Sequence, residues 1–569
     1  MATNFCYCIG GTGARVAEVA AHLCAANMVN SGDLIEFIVV DKDFDCKGTE
    51  NAENTIGKIS GLSDPHGIME RSSAKFNVQA PAQELCKMDM RKLNWSFTKA
   101  MEMLKTQPVA NLSIKETLCT NDEDKCLLNA LYSEDEQKQN TDKGFYGHPS
   151  IGALIFNYMI KNAKWNPDEG AGDIAGPVIN YLATPTNEAK VFIIGSIFGG
   201  TGASIFSNLA KYIRKSAVKG GCNNRLFMSG CLLLPYFNFP APEVGSDLKV
   251  DSNDFYIKSK VALKQYGLDP TLVKTGNATD YTFDTLYTLG QEPLHITSDV
   301  HCDGGQGQCN HFDLVDLLAA DAMVKFFNAD NANLNPAANN NSSNIFEYRL
   351  SNAVTPGAVL NVPVDFSMLP GLEKPIKAML VFSGFVISEV YADILFRPKV
   401  YDVNILKAMY RPGFFDGGSA RIAHFTDIRD QVKPVITEIY NYCSTYVRLA
   451  NDLSKIGCSW DGVTPSMQAS YNLISSGYMD NLCLVCNYIE VASAGALSPD
   501  QLRAVVDATN ALHTLIPFDS ASFNLDDVVQ YLRQLCDQGV VWKGVAGADY
   551  AKRAADYIHE AYKFISANV

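Results

Sequence analysis

The opening of the chain alternates short apolar runs with amphipathic ones. Asn4–Ile9 and Leu34–Val40 are rich in apolar and β-branched residues, as buried strands are, and Val16–Ala26 between them has the apolar spacing of a helix. A strand, a helix and a strand in this order predict a parallel sheet with right-handed crossovers. The runs Val191–Ile197 and Ile205–Ile213 repeat the strand and helix patterns. We therefore predict an α/β fold built on a Rossmann-like parallel sheet.

The second half of the chain has a different pattern, which divides the protein into regions. From about Lys374 the apolar residues recur mostly at helical spacing, and the Asn/Ala-rich stretch Asn328–Asn344 precedes this change. Ser498, Pro499 and Gln501 form a helix-start signal in the helical part. The chain has 569 residues, enough for several domains of ~150 residues each. We expect an α/β domain at 1–330, an intermediate segment at 331–400 and a helical domain at 401–569.

Two glycine-rich loops lie where a strand ends and a helix begins. Glycines let the backbone approach an anion, the N–H groups at the helix start point toward it, and the helix dipole adds a favourable field. Neither loop continues into the Gly-Lys-Ser/Thr of a Walker A motif. The alternative interpretation of each loop is a tight turn between a core strand and a core helix. The candidate phosphate-binding residues are Gly10, Gly11, Thr12 and Gly13 in the first loop and Gly199, Gly200, Thr201, Gly202 and Ala203 in the second.

Two further stretches carry polar groups to the same expected edge of the sheet. Asp41 follows the second strand, and parallel sheets bind ligands at the carboxyl ends of their strands. Its carboxylate either meets a ribose hydroxyl or a hydrated Mg²⁺, or is a solvated acid at a strand end. Gly147 and Pro149 belong to a turn before the helical run Ala153–Lys161, and such a turn offers backbone N–H groups to an anion. His148 is either a ligand contact or a histidine in a surface turn.

Composition and charge narrow the class of function. The chain has 47 Lys and Arg against 62 Asp and Glu, a formal net charge of −15, which argues against a nucleic-acid-binding protein because phosphate neutralisation needs clustered cations. Its 16 cysteines form no framework, and Cys483 and Cys486 lie in an apolar stretch, so free thiols in a reducing cytosol are expected. The most apolar later segment, Ala378–Ile387, meets Glu389 too early to span a bilayer, and the first residues have no signal-peptide pattern. We expect a cytoplasmic protein without a membrane span.

The loops resemble those of a known family. FGGTGAS at 198–204 is similar to the signature G-G-G-T-G-[ST]-G loop of the tubulin/FtsZ superfamily of GTPases, IGGTGARV at 9–16 to the first FtsZ loop, and GHPSIG at 147–152 to the third. Phe198 and Ser204 replace the first and last glycine of the signature. Arg15 stands where FtsZ has asparagine, and a cation there would contact phosphate or a neighbouring subunit. Residues 1–330 thus resemble a divergent prokaryotic tubulin-like branch.

The resemblance also implies a base site and a catalytic loop. Phe312 and Asp316 match the FtsZ pair in which an aromatic ring stacks on guanine and a carboxylate pairs with its N1–H and N2 amine, donors that adenine lacks. The alternatives are a core aromatic and an acid that complements a helix dipole. Asp365, in LNVPVD at 360–365, is the nearest match to the acid that orients the attacking water on the GTP of the adjacent subunit. The second acid of that loop is missing, so slow or absent hydrolysis is expected.

Three functions from different classes fit these residues. The first is a GTPase that binds GTP or GDP with Mg²⁺ and assembles head-to-tail into filaments, with hydrolysis at the subunit interface. The second is a Rossmann oxidoreductase, since Gly11, Gly13 and Asp41 fit an NAD(P) fingerprint, although FGGTGAS is then unexplained. The third is a non-hydrolysing nucleotide-binding scaffold that meets a protein partner through its helical domain. On the resemblance, we predict the first.

Overall fold

A computed structural model describes most of the chain. The residues described are 3–26, 28–29, 34–41, 43, 46–63, 87–92, 119, 121–138, 144–145, 147–162, 174–240, 250–275, 278–291, 295–296, 304–307, 310–331, 334, 345–350, 371–397, 403–410, 418–455, 474–515, 517, 523–538 and 550–569.

Strands and helices alternate through the first part of the described chain. The strands are β1 (Thr3–Ile9), β2 (Leu34–Val40), β3 (Lys87–Lys92), β4 (Ala189–Ser196), β5 (Leu226–Leu233), β6 (Phe237–Asn238), β7 (Thr285–Gln291), β8 (His295–Ile296) and β9 (Ile345–Leu350). The helices among them are α1 (Gly10–Ala25), α2 (Lys47–Ser63), α3 (Asp122–Leu131), α4 (Glu134–Lys138), α5 (Pro149–Asn162), α6 (Gly176–Leu182), α7 (Gly200–Lys219), α8 (Phe255–Gly267) and α9 (Leu314–Asn328).

Seven of these strands form one parallel sheet in the order β3-β2-β1-β4-β5-β7-β9, and β6 pairs with β8 separately. The predicted α/β class and parallel sheet are therefore confirmed, and the order agrees with a Rossmann-like arrangement. The chain leaves β1 toward β2 on one side and reaches β4 on the other, so the strand order reverses between β1 and β4. Crevices at such a reversal, beyond the carboxyl ends of the strands, are where α/β sheets bind ligands. Strand β9 extends the sheet beyond residue 330, where we expected the α/β domain to end.

The later part of the described chain is helical, as predicted. Its helices are α10 (Glu373–Phe396, with π geometry over Phe385–Ala392), α11 (Asn404–Met409), α12 (Gly418–Lys455), α13 (Ser476–Ala494), α14 (Pro499–Thr514), α15 (Leu525–Asp537) and α16 (Tyr550–Asn568). The predicted start of α14 is confirmed, because the Ser498 hydroxyl accepts from the Gln501 N–H at 3.2 Å within a capping box.

Helix α10 is apolar because it belongs to the core. Among the described helices it alone is long and apolar enough to cross a bilayer, with 24 residues and a mean hydropathy of 1.7. Within its most apolar window, 83% of the residues are buried inside the protein. Its side chains pack with those of α12 and α16: the Tyr446 hydroxyl donates to the Ile376 carbonyl at 2.8 Å, and the rings of Phe382 and Tyr562 lie 5.3 Å apart. Burial in the protein accounts for the composition of this helix.

The helical part packs directly against the first helix of the sheet region. His22 on α1 is fully buried, and its ring lies 5.8 Å from that of Tyr442 and 5.3 Å from that of Tyr446, both on α12. Burial, together with the positive charges of Arg448 and Lys58, lowers the pKa of His22 to about 3, so the imidazole is neutral there. The apolar core continues from Phe5 to Ile565 through this contact. Helix α12 therefore packs against α1, near the end of α1 that lies away from its glycine loop.

The predicted elements differ from the structure mainly at their ends. Helix α1 begins at Gly10 rather than Val16, because the first glycine loop is itself the first turn of the helix. Helix α9 begins at Leu314, so Phe312 precedes the helix and Asp316 lies in its first turn. The helix that we expect near Asn94–Leu104 lies outside the described residues.

Candidate functional site

The loops that follow β1 and β4 meet at the reversal point of the sheet. Gly10 has a φ of +72°, and a β-carbon there would lie 3.5 Å from the β-carbon of Thr201 and 3.7 Å from the Gly202 nitrogen. The third loop lies beside the second, since a β-carbon at Gly200 would come within 3.0 Å of the Gly147 nitrogen. Three stretches singled out separately in the sequence are thus in direct contact.

Two of the glycines allow helices to approach strands closely. A β-carbon at Gly13 would lie 2.7 Å from the carbonyl carbon of Cys8 in β1, and one at Gly202 would lie 2.5 Å from the carbonyl oxygen of Ser196 in β4. Both distances are shorter than any side chain tolerates against backbone. Glycine at these positions keeps the first turns of α1 and α7 against the ends of their strands.

The first turns of α1 and α7 border the space between the loops, and the first N–H groups of a helix have no partner within the helix itself. Within the described part of the chain, neither N-cap residue, Ile9 or Gly199, caps its helix with a side chain, and neither first turn contains an acid. Helices α9 and α14, by contrast, have complete capping boxes. Uncapped N–H groups and two converging helix dipoles make this space suited to an anion.

An open cleft lies over the three loops, with about 1060 Å³ of empty space including its mouth. Concave surfaces of this kind are where proteins commonly bind small molecules. Most of the residues predicted for ligand binding line it: Gly10, Gly11, Thr12, Arg15, Asp41, Gly147, Gly199, Gly200, Thr201, Gly202 and Phe312.

The other predicted residues lie elsewhere. Gly13 and Ala203 belong to the first turns of α1 and α7 and are not among the residues that line the cleft, and Pro149 is the first residue of α5, as its sequence position suggested. Asp316 is fully buried and turned into the protein. Asp365, the predicted catalytic acid, lies outside the described residues.

An acidic corner borders the glycine loops. The Asp41 carboxylate accepts from the Thr201 hydroxyl at 3.3 Å and from the Asp43 N–H at 3.3 Å, while Asp43 accepts from the Gly305 N–H at 2.6 Å. Both acids line the cleft. Burial and the Asp41 charge raise the pKa of the neighbouring Cys46 thiol to about 11, so this thiol stays protonated at neutral pH. Carboxylates this close to an anion cradle would repel a phosphate unless a cation lay between them.

Mg²⁺ fits this corner through its usual chemistry in phosphate sites. It is commonly held by one or two carboxylates together with substrate phosphates and water, rather than by a full protein cage. Among the described residues no group of three or more His, Cys, Asp or Glu side chains could hold a metal alone. Cys483 and Cys486, the C-x-x-C pair, lie half-buried on α13 as free thiols.

A buried polar cluster occupies the floor of the cleft. The Tyr236 hydroxyl donates to Asp316 Oδ1 at 2.6 Å and accepts from Arg15 at 2.7 Å, and Arg15 Nε lies 3.4 Å from Asp316 Oδ2. Asp316 Oδ2 also accepts from the Asp313 N–H at 3.0 Å, which completes the capping box of α9. Burial alone would lower the pKa of Arg15, but the Tyr236 and Asp316 side chains outweigh it and hold that pKa above its ordinary value. Both carboxylate oxygens of Asp316 therefore accept hydrogen bonds from groups inside the protein.

Helix α12 adds a side chain that sequence reasoning missed. Arg448 lines the cleft, and its guanidinium carbon lies 5.1 Å from the centre of the Phe312 ring. Its Nη2 donates to the carboxylate of Glu18 on α1, which also accepts from the Thr55 hydroxyl at 2.7 Å. Arg448 and Glu18 are 430 residues apart in the sequence and neither belongs to a motif, so no local pattern signals the pair.

One turn further along α12, a second contact fixes the position of Phe312. Asp452 accepts from the Phe312 backbone N–H at 3.0 Å and lies 3.0 Å from the His311 ring nitrogen Nδ1. The aromatic ring over which Arg448 lies is therefore held in place by the same helix that supplies Arg448.

No family model and no curated protein matches this chain. The fold defines an α/β protein with a parallel sheet, and glycine-rich loops line an open cleft where the strand order reverses. A more specific function has to be argued from the residues of the cleft.

Proposed function

We propose that this protein is a tubulin/FtsZ-like GTPase that binds GTP with Mg²⁺ in the cleft between the glycine loops. The observation that carries the proposal is the meeting of the two loops, with Gly10 against Thr201 and Gly202. A single phosphate-binding turn is common, but two uncapped helix starts facing one cleft supply donors for more than one phosphate group. The third loop, at Gly147, closes the same cradle.

Different residues of the cleft would bind the triphosphate, the Mg²⁺ ion and the base of the nucleotide. The triphosphate would lie on Gly10–Thr12 and Gly199–Gly202, whose N–H groups fix it through backbone contacts. Asp41 and Asp43 would hold Mg²⁺, which when bound neutralises developing charge on the phosphates. The base would lie toward Phe312, whose ring faces the cleft on the side of α12.

Asp41 favours this use of the cleft over dinucleotide binding. In a dinucleotide enzyme the acid after the second strand meets the ribose and has no need to contact a second phosphate loop. Here the Asp41 carboxylate is reached by the Thr201 hydroxyl of the FGGTGAS loop. That contact suits a carboxylate beside phosphate and Mg²⁺, so an NAD(P) oxidoreductase is the weaker alternative.

Hydrolysis and assembly follow from the resemblance as further parts of the proposal. A head-to-tail contact between identical subunits is heterologous and produces open filaments. The acid that orients water would then come from the adjacent subunit, with Asp365 as the candidate. The cytoplasm is the proposed compartment, and a protein partner at the helical domain is the non-hydrolysing alternative.

Calorimetry with GTP, ATP and NAD tests the ligand class directly. We expect GTP to bind in the presence of Mg²⁺, and binding of NAD without GTP would overturn the proposal. Phosphate release measured across protein concentrations tests shared hydrolysis, because turnover per subunit rises with concentration only if subunits complete each other's site. Electron microscopy with and without GTP tests assembly. Asp365→Ala should abolish turnover and leave GTP affinity unchanged.

A further inference from the structure

Asp316, which the resemblance predicts to recognise guanine, is hydrogen-bonded inside the protein instead. Asp316 has no exposed surface, does not line the cleft, and accepts from Tyr236, Arg15 and its own helix cap. To pair with the N1–H and N2 amine of guanine it would have to leave three donors for two and move out of a fully buried position. A different side chain is therefore needed to recognise the base.

We infer that Arg448 reads the guanine base, through the O6 and N7 atoms of its Hoogsteen edge. This inference rests on the proposed binding of GTP. Arg448 lines the cleft, and its guanidinium carbon lies over the Phe312 ring, 5.1 Å from the ring centre. Phe312 is only 4% exposed and Arg448 covers one face of its ring, so a base that approaches Phe312 from the cleft meets this guanidinium.

The chemistry of the guanidinium selects guanine over adenine. Arginine presents N–H donors in a planar fork, and guanine O6 and N7 are two adjacent acceptors that match it. Adenine offers N7 but carries an amino group in place of O6, so one donor would face another donor. Arg448 would thus select guanine over adenine through O6 and N7, whereas Asp316 was expected to do so through N1–H and the N2 amine.

The surroundings of Arg448 hold its fork in place. Within the described residues, Glu18 is the hydrogen-bonding partner of Arg448 and takes Nη2, so N–H groups on Nε and Nη1 are left for a ligand. Glu18 is itself buried and fixed by the Thr55 hydroxyl at 2.7 Å. Both ends of the arrangement lie on helices, α1 and α12, that pack through His22. The guanidinium is therefore positioned before a base arrives, which lowers the cost of binding.

Nucleotide analogues separate the two possible readers without any mutation. Inosine triphosphate lacks the N2 amine but keeps O6 and N7, whereas 7-deaza-GTP keeps the amine and lacks N7. If Arg448 reads the base, wild-type protein should bind inosine triphosphate within about twofold of GTP and 7-deaza-GTP about tenfold more weakly. Equal affinity for GTP and 7-deaza-GTP would overturn the inference, as would a tenfold loss with inosine triphosphate alone.

Variants then assign the effect to Arg448. Arg448→Gln should lower GTP affinity about tenfold and bring the ratio between GTP and 7-deaza-GTP close to one. In the single variant the buried Glu18 carboxylate loses its partner, so the double variant Glu18→Gln/Arg448→Gln serves as a check. It should show the same loss of GTP affinity and the same ratio between GTP and 7-deaza-GTP. Arg429→Gln, on the exposed face of the same helix beside Asp430, is the matched control and should keep the wild-type ratio.

The outcomes distinguish this inference from the proposed function. If wild-type protein binds no guanine nucleotide, both the proposed GTPase function and the role of Arg448 are refuted. Wild-type protein that binds GTP, with an Arg448→Gln variant that keeps the 7-deaza-GTP discrimination, overturns only the role of Arg448. An Arg448→Gln variant that loses affinity equally for GTP, ATP and both analogues would show that Arg448 contacts phosphate, which also overturns base reading.

Discussion

Replacement of Gly202 by alanine tests whether the second loop binds phosphate. Gly202 lies in the first turn of α7, where an added β-carbon would stand 2.5 Å from the Ser196 carbonyl oxygen and 2.7 Å from the Ser196 nitrogen. Both atoms are backbone of β4 and cannot swing aside. To reach the 3.4 Å of an ordinary contact, the start of α7 has to move by about 0.9 Å.

This displacement should affect binding more than folding. Overpacking costs roughly 1–3 kcal/mol, and alanine in place of glycine within a helix returns about 1 kcal/mol, so the net loss of stability is ~0–2 kcal/mol. The N–H groups of the first turn move with the helix, and each hydrogen bond to a charged group contributes ~1.5–3 kcal/mol. Loss of one such bond to phosphate lowers GTP affinity by ~10–100-fold.

Calorimetry and ligand-dependent thermal denaturation measure the two effects separately. At a GTP concentration of 100 times the wild-type Kd, GTP should stabilise wild-type protein by ~2.7 kcal/mol, and a variant with 50-fold weaker affinity by about 0.6 kcal/mol. Gly57→Ala is the matched control, because Gly57 is exposed on α2 with no described atom within 4 Å of an added β-carbon. If folded Gly202→Ala protein binds GTP like the wild type, the second loop is structural and the proposed phosphate site is wrong.

Three further changes probe the cleft and the helical part. Thr201→Arg should fill the cradle and abolish GTP retention on gel filtration, whereas Thr201→Ser keeps the hydroxyl and should retain GTP; unchanged retention by the arginine variant would contradict the site. Tyr236→Phe removes a hydroxyl that bonds two charged groups, so the free energy of unfolding should fall by ~2–4 kcal/mol in chemical denaturation, and a loss below ~1 kcal/mol would count against the cluster. His513 lies 2.6 Å from Glu389, and this contact raises its pKa, so its stabilisation is complete below pH ~6.5 and declines as pH rises through the folded pKa. The midpoint of thermal unfolding should therefore fall more from about pH 6 to about pH 9 in wild-type protein than in His513→Gln, and parallel curves would contradict this.

The sheet and the loops could be predicted because their signals are local. An apolar run of seven or eight residues such as β4 is recognisable as a buried strand from its own sequence. Gly202 follows this strand because only glycine permits the close approach of α7 to Ser196. The β-α-β order then fixes parallel pairing, and parallel pairing brings the carboxyl ends of β1 and β4 together. Contact between Gly10 and Thr201 is thus a consequence of chain topology, even though the residues are far apart in sequence.

Arg448 could not be predicted because nothing near it in the sequence describes a binding site. It lies on the long helix α12, whose polar and apolar spacing indicates only that one face is buried. Its place beside Phe312 depends on the packing of α12 against α1 through His22 and two tyrosines. The sequence predicts a separate helical domain at 401–569, whereas Arg448 of this part lines the cleft.

Asp316 illustrates why a matched motif does not settle a residue's role. An acid at the third position of a helix can pair with a ligand or cap its own helix, and Asp313 at the N-cap makes the second use available. In this protein the Tyr236 hydroxyl donates to Asp316 Oδ1 at 2.6 Å, and Arg15, which stands where FtsZ has asparagine, donates to Oδ2 at 3.4 Å. Together they satisfy the carboxylate inside the protein. The two positions are therefore coupled: a chain with arginine at 15 has no acid left to meet a base and needs a donor from elsewhere. Replacement of Arg15 by asparagine, as in FtsZ, removes one of the three donors to Asp316 and leaves Tyr236 and the Asp313 N–H. If Arg15 controls the use of Asp316, this variant should become sensitive to the N2 amine of guanine, measured as weaker binding of inosine triphosphate relative to GTP. If the ratio for Arg15→Asn stays at the wild-type value while the variant remains folded, positions 15 and 316 are independent and their coupling is refuted.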